Sequence, residues 1–547
     1  MSKIKIFALG GQNERGKNMY VVSVDSKLFI FDAGLKYPDD ILFGVDYIIP
    51  NYDYLKEHKN DIVGIFVTHG HNEQIGAICD ILMDIPDIKI YGGKLTLEII
   101  KSDMAESEIK NANLIEIKPH KKVDFGNCSL FPIQVSHSIP DSFLYVLNTL
   151  DGSIVFSGNY FFDPSMFGHY SMDVGKLAYI GKQNVLCLMN ESIYADKEGF
   201  VSPKHRIKEF IRNIISENKG RIFFNIFDSQ IFRLQNLLDE LTKANKSIVI
   251  MGKYLENIVL KGINLGYIDF DKERIKTLSH VNDDGIVVII SDEREKPYSS
   301  LKRIVRNSDK FVQFNDKDTV VMLSPVYDAN EITATDVFNK IAKIGCNLIT
   351  LPKNYMDAHG ASEDLMMMIN LMQPKYYFPI IGDYRLQVLN GNLAKKLGYN
   401  DENILLKLNG EVVTFENGKL VDNNETVKVD SILIDGKTQG DIGDLVLKDR
   451  EMLSDSGIVI VNCNISKETR QIINKPNIIT KGFIYVKDNI DLLEESEKIV
   501  KEIIENYITD NYIDYKKIQI DIRNILGRYY YNETGSKPMI IVAIQEI

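Results

Sequence analysis

The chain is predicted to fold as a multi-domain α/β protein: a strand-rich first region, an inserted parallel-sheet domain and a small α+β tail. Three observations carry that prediction. At 547 residues the chain exceeds what one hydrophobic core organises. Its first 150 residues read as short β-branched runs broken by turn residues, namely YVVSV, KLFIFDAG, DIVGIFVTH, IKIYGG, FLYVLNTL and SIVFSG. From about 206 to 345 the texture becomes helix–strand alternation, with HRIKEFIRNIISEN, RIFFNIF, FRLQNLLDELTKAN, SIVIMG, IVVIIS and TVVMLSP in order. Alternation of that kind implies a parallel sheet, because each return to a parallel neighbour needs a crossover.

Beyond LITLPKN, the helical stretch SEDLMMMINLMQP leads to YYFPIIGDYR, a strand whose character matches the first region. The first domain is therefore expected to resume after the insert. The run from Leu365 to Met372 reads as core packing, since flexible methionines fill irregular gaps. FENGKLVDNNETVKVD and GKTQGDIGD read as hairpins or a linker. An amphipathic helix, DLLEESEKIVKEIIENYI, and a last strand, KPMIIVAIQE, complete the tail. The expected division is 1–205 and 346–435 for the first domain, 206–345 for the insert, 436–462 for a linker and 463–547 for the tail. A module below about 100 residues buries a modest core and commonly packs on another chain, so the tail is a candidate assembly domain.

Composition narrows the classes. With 44% hydrophobic and 26% charged residues and no short repeat, the chain is that of an ordered globular protein. Cys79, Cys128, Cys187, Cys346 and Cys463 lie far apart, are odd in number and form no CxxC pair, which predicts no disulfide framework. The start, MSKIKIFALGG, enters a strand-like run without a cleavable leader pattern, and no stretch has the length of a membrane span, so a cytoplasmic protein is expected. Lys and Arg number 64 against 76 Asp and Glu, and the net charge of −12 argues against indiscriminate polyanion binding. A local basic groove remains open to nucleic acid.

The chemistry concentrates in IFVTHGHNEQIGA, an apolar strand ending in His69-Gly70-His71. Two histidines at i and i+2 on a strand end can aim both imidazoles at one ion. An isolated pair is weak, because most histidines are solvated or satisfied in a core. The surrounding segment resembles the HxHxDH motif of the metallo-β-lactamase family, in which the first two histidines hold one metal and the Asp and last His hold a second. Here the motif reads His69, His71, Glu73, Gln74. FPIQVSHSIPDS resembles the family's next segment and places His137 as third ligand of the first metal. SGNYFFD puts Asn159 where a bridging Asp is usual, and YFPIIGDYR puts Ile381 where the family has a His ligand of the second metal.

The resemblance to ribonuclease J, within that superfamily, spans the chain. LGGQNERGKNMYVV, FDAGLKYPDDILFGVDYIIPNYDYL, SGNYFFDPSMFGHYSMDVGKLAYIG, LMMMINLMQPKYYFPIIGDYR and LIDGKTQGDIGDLVLKDREMLSDSGI match family segments in order. It implies a metallo-β-lactamase αββα sandwich, an inserted β-CASP domain forming an RNA channel, and a C-terminal domain associated with assembly. It also implies RNA as ligand, and as partners an active ribonuclease J paralogue and a second copy of this chain, with no membrane. Glu191 in LMNES resembles the family's acidic residue, and Ser229 with Arg233 in FDSQIFRLQ a segment lining the channel. The plainer readings are a local ion pair for Glu191 and a solvated surface position for Arg233. His359 matches the second histidine of the family's HxSGHG loop, a candidate for RNA contact or catalysis, but Tyr355, Asp357 and Ala358 replace the first histidine, serine and glycine. SDEREKP stands where a TGSQGEP-like turn is usual, so two glycines that bring backbone close to a ligand are gone.

A dinuclear hydrolase needs anionic or imidazole ligands on both cations and a bridging carboxylate. Asn159 is neutral, Gln74 a poor ligand and Ile381 has no lone pair, so the second metal is expected to be absent. His69, His71 and His137 with a water suffice for one tetrahedral zinc. They could equally persist as a polar cluster without metal. The expectation is at most one zinc and an inactive or very weak ribonuclease J-like subunit; the alternative is a feeble 5′-exo- or endoribonuclease working with a single zinc.

Overall fold

A computed structural model describes residues 2–38, 44–283, 285–292, 298–326, 330–421, 424–436, 438–439, 444–484, 489–507 and 514–547. The chain divides into two compact units, Met1–Tyr37 with Asp46–Ile432, and Pro38–Val45 with Leu433–Ile547. In the first unit an eight-stranded sheet runs Lys419–Val421, Val413–Glu416, Lys3–Gly10, Met19–Val24, Lys27–Phe31, Ile62–Phe66, Lys89–Gly92, Asn113–Glu116. A six-stranded sheet runs Tyr376–Ile380, Val185–Glu191, Gly152–Phe156, Phe143–Thr149, Ser129–Gln134, Val123–Asp124. Strand alternation explains the shared core: in KIKIFALG, Ile4, Ile6 and Ala8 join one apolar cluster with Phe29, Phe31, Phe66, Phe143, Tyr145 and Phe156. Phe31 stacks on Phe156 at 5.1 Å between ring centroids, which ties one sheet to the other. Each such ring, fully buried, contributes about 1.5–3 kcal/mol. The opposite face of the six-stranded sheet carries Leu144, Val146, Val155 and Leu188 against helical Leu177, Leu365, Met368, Ile369 and Met372. The methionine run is thus core at helical spacing, and Tyr376–Ile380 returns the chain to the six-stranded sheet of the sandwich.

The insert is a parallel sheet in the order Ile275–Lys276, Ile248–Met251, Val287–Ile290, Ile222–Asn225, Thr319–Met322, Asn347–Thr350. Its last strand lies beyond the limit of 345 expected from sequence. Gly345, at φ 95°, stops the helix Glu331–Ile344. That glycine signals a helix end, not a domain end.

In the second unit the strands Asn477–Lys481, Ile458–Ile465 and Met539–Glu546 form a sheet with Ile458–Ile465 central. The boundary expected at 463 therefore falls inside the middle strand, and the stretch taken as a linker contains the helix Asp444–Ser456. Polar Asn462 and Asn464 had masked the alternation of IVIVNCNI, whose Val459, Val461, Cys463 and Ile465 are buried. Helix Ile490–Tyr507 was expected; Tyr515–Thr534 was not, although Ile518, Ile522, Leu526 and Tyr530 recur every four residues and are all buried. All five cysteines are free. No described helix is long and apolar enough to cross a membrane. Glu293–Pro297 of SDEREKP and residues 440–443 of GKTQGDIGD lie outside the described residues.

Candidate metal centre

Strand direction assembles the site. Ser129–Gln134 and Gly152–Phe156 each run antiparallel to Phe143–Thr149, hence parallel to one another, and Val185–Glu191 and Tyr376–Ile380 continue that direction. The residues at and beyond their carboxyl ends, His137, Asn159, Glu191 and Ile381, therefore emerge at one sheet edge. The facing sheet delivers Thr68, His69 and His71 just after Ile62–Phe66. Gly34 makes room for the turn that follows, since a Cβ there would lie 1.7 Å from the Glu73 carbonyl oxygen.

His69, His71 and His137 are buried, and one nitrogen from each lies within 4.8 Å of the others. Their remaining nitrogens are held from outside. His71 Nε2 donates to the Ser229 carbonyl at 2.9 Å, and His137 Nδ1 donates to the Ala358 carbonyl at 2.7 Å. Those bonds turn His71 Nδ1 and His137 Nε2 inward as lone pairs, and His137 Nε2 has no hydrogen-bond partner. Burial, helped by the neighbouring His359, pulls the His137 imidazole down to about 3, so it is neutral and a competent ligand at neutral pH. His69 Nε2 lies 3.1 Å from His71 Nδ1, a contact that one proton satisfies. A cation can replace that proton, because Thr68 Oγ1 stands 2.9 Å from His69 Nδ1 and can accept it there. The Thr68 hydroxyl lies 3.0 Å from both oxygens of Asp32, and the Thr68 amide donates to the same carboxyl at 2.7 Å. Burial raises Asp32 to about 8, with the bonds from Thr68 opposing. This donor set fits one cation: three neutral imidazoles, each oriented by a second contact. Thr68 and Asp32 were missed in sequence; a hydroxyl directly before a His pair, and FDAG at the end of a neighbouring strand, were the available signals.

The second-metal position is filled by hydrogen bonds. Gln74 Nε2 donates to Asn159 Oδ1 at 3.1 Å, and Asn159 Nδ2 donates to Glu191 Oε2 at 2.7 Å. Glu191, fully buried, also accepts from the Tyr160 amide at 2.8 Å, the Gly360 amide at 3.2 Å and His359 Nδ1 at 3.0 Å. Ile381 is buried at φ 54°, a left-handed backbone rare for a β-branched residue, and its amide donates to Tyr20 Oη at 3.0 Å. Glu73 is half-buried, with its Cγ against Gly16. The amide pair and the isoleucine do not fit a second cation.

The other singled-out residues divide. His359 joins the centre, with its ring 5.6 Å from that of His137. Ser229 joins through its carbonyl, while its hydroxyl is buried and unpartnered. Arg233 is not the solvated side chain that the plainer reading expected: it is buried, pairs with Asp357 at 3.1 Å and bonds Tyr355 Oη and the Leu323 carbonyl. Asp357, at the altered loop, also accepts from Gln230 Nε2 at 3.2 Å. The guanidinium is committed inside the protein.

Comparison with known proteins agrees with this geometry. The family model for the ribonuclease J β-CASP domain matches residues 219–341, and that for the ribonuclease J C-terminal domain matches 445–547. The chain is 33% identical over 549 aligned positions to a protein named Ribonuclease J 2 from Staphylococcus aureus strain NCTC 8325, covering 100% of this chain and 98% of that one. The Ribonuclease J 2 of Staphylococcus epidermidis is equally similar, at 33% over the same spans. A crystal structure of a protein of unknown function from Enterococcus faecalis V583 shares the fold, with a TM-score of 0.55 at 14% identity over 76% of this chain and 100% of that one. A sandwich with a parallel-sheet insert, a three-histidine edge and a full-length match at this identity place the chain in the ribonuclease J family.

Proposed function

We propose that the protein is a catalytically inactive or very weak ribonuclease J-like subunit of a cytoplasmic RNA-processing and decay complex, supporting an active paralogue and holding at most one zinc. The observation that carries the reading is the Gln74–Asn159–Glu191 chain, which occupies the second-metal position with neutral amides. Without a second cation nothing there neutralises charge developing on a phosphodiester, and such stabilisation is usually the largest catalytic contribution. RNA contact would fall to His359, because the Ser229 hydroxyl is buried and Arg233 and Glu191 are engaged within the protein. Assembly, with the paralogue or as a homodimer, is assigned to residues 445–547.

The second reading is a feeble single-zinc nuclease, favoured by the closeness of His359 to the histidine cluster. His69, His71 and His137 would hold the zinc, which supplies a water acidic enough to ionise near neutral pH. His359, oriented by Glu191 through Nδ1, would exchange a proton through Nε2 with the departing oxygen.

One experiment separates them: elemental analysis of the purified chain, with decay of 5′-monophosphorylated RNA followed with and without added manganese or magnesium. The subunit reading expects at most one metal per chain and no decay above that of a His71→Ala control. Metal-dependent decay lost in His71→Ala supports the weak enzyme, and two tightly held metals overturn both. Deleting 445–547 should abolish co-purification with the paralogue and oligomers in light scattering; retention of both would move assembly elsewhere.

A further inference from the structure

The inserted sheet carries a second group of unsatisfied polar atoms, remote in sequence from the histidines. The chain leaves Ile222–Asn225 toward a strand on one side, Ile248–Met251, and leaves Val287–Ile290 toward a strand on the other, Thr319–Met322. Right-handed crossovers that move in opposite directions cover opposite faces of a sheet, and a crevice opens at the carboxyl ends of the strands where they diverge. Asn225 ends the strand at that divergence and pairs with Ile290 and Met322. Paired residues of parallel strands share a face, and here Ile290 and Met322 pack with Leu301, Ile304 and Val337 of two helices. Asp292 and Ser324 follow two residues beyond the ends of those strands. Asp292 is tied there, since its Oδ1 accepts from Ser299 Oγ at 3.0 Å and the Ser300 amide at 2.9 Å.

All three residues are at least nine-tenths buried, at 1% exposure for Asn225, 5% for Asp292 and 2% for Ser324. Asn225 Oδ1, Asp292 Oδ2 and Ser324 Oγ have no hydrogen-bond partner. Neighbouring strands lie about 4.8 Å apart, so the three residues stand at or just beyond the carboxyl ends of adjacent strands of one sheet edge. Among the described residues no lysine or arginine pairs with Asp292. Burying oxygen acceptors without donors is costly, and burying a carboxylate without a counter-charge costs more. A neutral ligand would satisfy the acceptors but leave the charge. A cation answers both, and a carboxylate, an amide oxygen and a hydroxyl make an oxygen-only set suited to a hard ion.

We propose that the carboxyl edge of the inserted sheet binds a hard divalent cation, with Asp292, Asn225 and Ser324 as its protein ligands, separate from the histidine cluster. The neighbouring chemistry differs accordingly: imidazoles for zinc at one edge, oxygens for magnesium or calcium at the other.

The test is calorimetric titration of the full, zinc-saturated chain with magnesium chloride and with calcium chloride. One equivalent of either ion should bind and raise the melting temperature. Asp292→Asn should weaken that binding at least about 10-fold, the scale set by losing one first- or second-sphere group at a metal. Ser324→Ala, which removes no hydrogen bond within the protein, should weaken it as well and decides the matter if Asp292→Asn fails to fold. His71→Ala should leave it unchanged. No stoichiometric binding of either ion overturns the proposal, as does binding undiminished in Ser324→Ala or lost in a folded His71→Ala.

Discussion

The histidine half of the candidate metal centre and the half beside it differ in what surrounds them. On the histidine side each imidazole is gripped by an oxygen: the hydroxyl of the adjacent Thr68 for His69, and the distant Ser229 and Ala358 carbonyls for His71 and His137. Those grips keep the ligand atoms converging. On the other side, donors and acceptors meet one another directly from Gln74 to Asn159 to Glu191. The first arrangement is a preformed socket and the second a closed hydrogen-bond network.

Removing a ligand from the socket is the sharpest way to break the contrast. His71→Ala should take zinc from at most one equivalent per chain to none in elemental analysis after dialysis, and a full equivalent retained would show that the ion sits elsewhere. Next in size is Asn159→Asp, which sets a second carboxylate 2.7 Å from Glu191 Oε2 in place of a donor. It should lower stability by about 1–3 kcal/mol in denaturant unfolding without admitting a second metal. Only the combined change Glu73→Asp, Gln74→His, Asn159→Asp and Ile381→His should raise the count to two, because such ligands act together. A second equivalent in Asn159→Asp alone would sink the network account.

Thr68→Val keeps the shape but removes the acceptor for His69 Nδ1, and should weaken zinc binding about 10- to 100-fold in competition with a chelating dye. The smallest expected effect is on pH. His137 in the fold lies at about 3 against an ordinary 6.5, so the unfolded chain takes up its proton first. Its contribution is complete above about pH 6.5 and declines as pH falls toward 3, by up to about 1.4 kcal/mol per unit. Asp32, raised to about 8, runs oppositely: its contribution is present below about pH 4 and is lost as pH rises toward 8. Comparing metal-free wild type with His137→Gln isolates the first effect. The stability difference between them should shift against wild type from pH 7 to pH 5; a constant difference would mean that His137 is solvated in the fold.

Residue identities alone determined much of this protein. The period-two runs and the helix–strand alternation announced a strand-rich α/β region and a parallel-sheet insert, because pattern follows from which face of a strand or helix meets a core, while the sandwich came from the family resemblance. The positions of His137, Asn159 and Ile381 were legible only through the family resemblance of their segments, and side-chain type then said which of them could hold a metal. Three things were decided only by the fold. The last strand of the insert, Asn347–Thr350, and the central strand of the second unit's sheet, Ile458–Ile465, are defined by partners distant in sequence, and polar Asn462 and Asn464 blur the local signal. Arg233 became an internal ion pair because Asp357, 124 residues away, meets it in a buried position. The socket itself depends on carbonyls of Ser229 and Ala358, backbone groups that every residue carries and that only tertiary structure can aim.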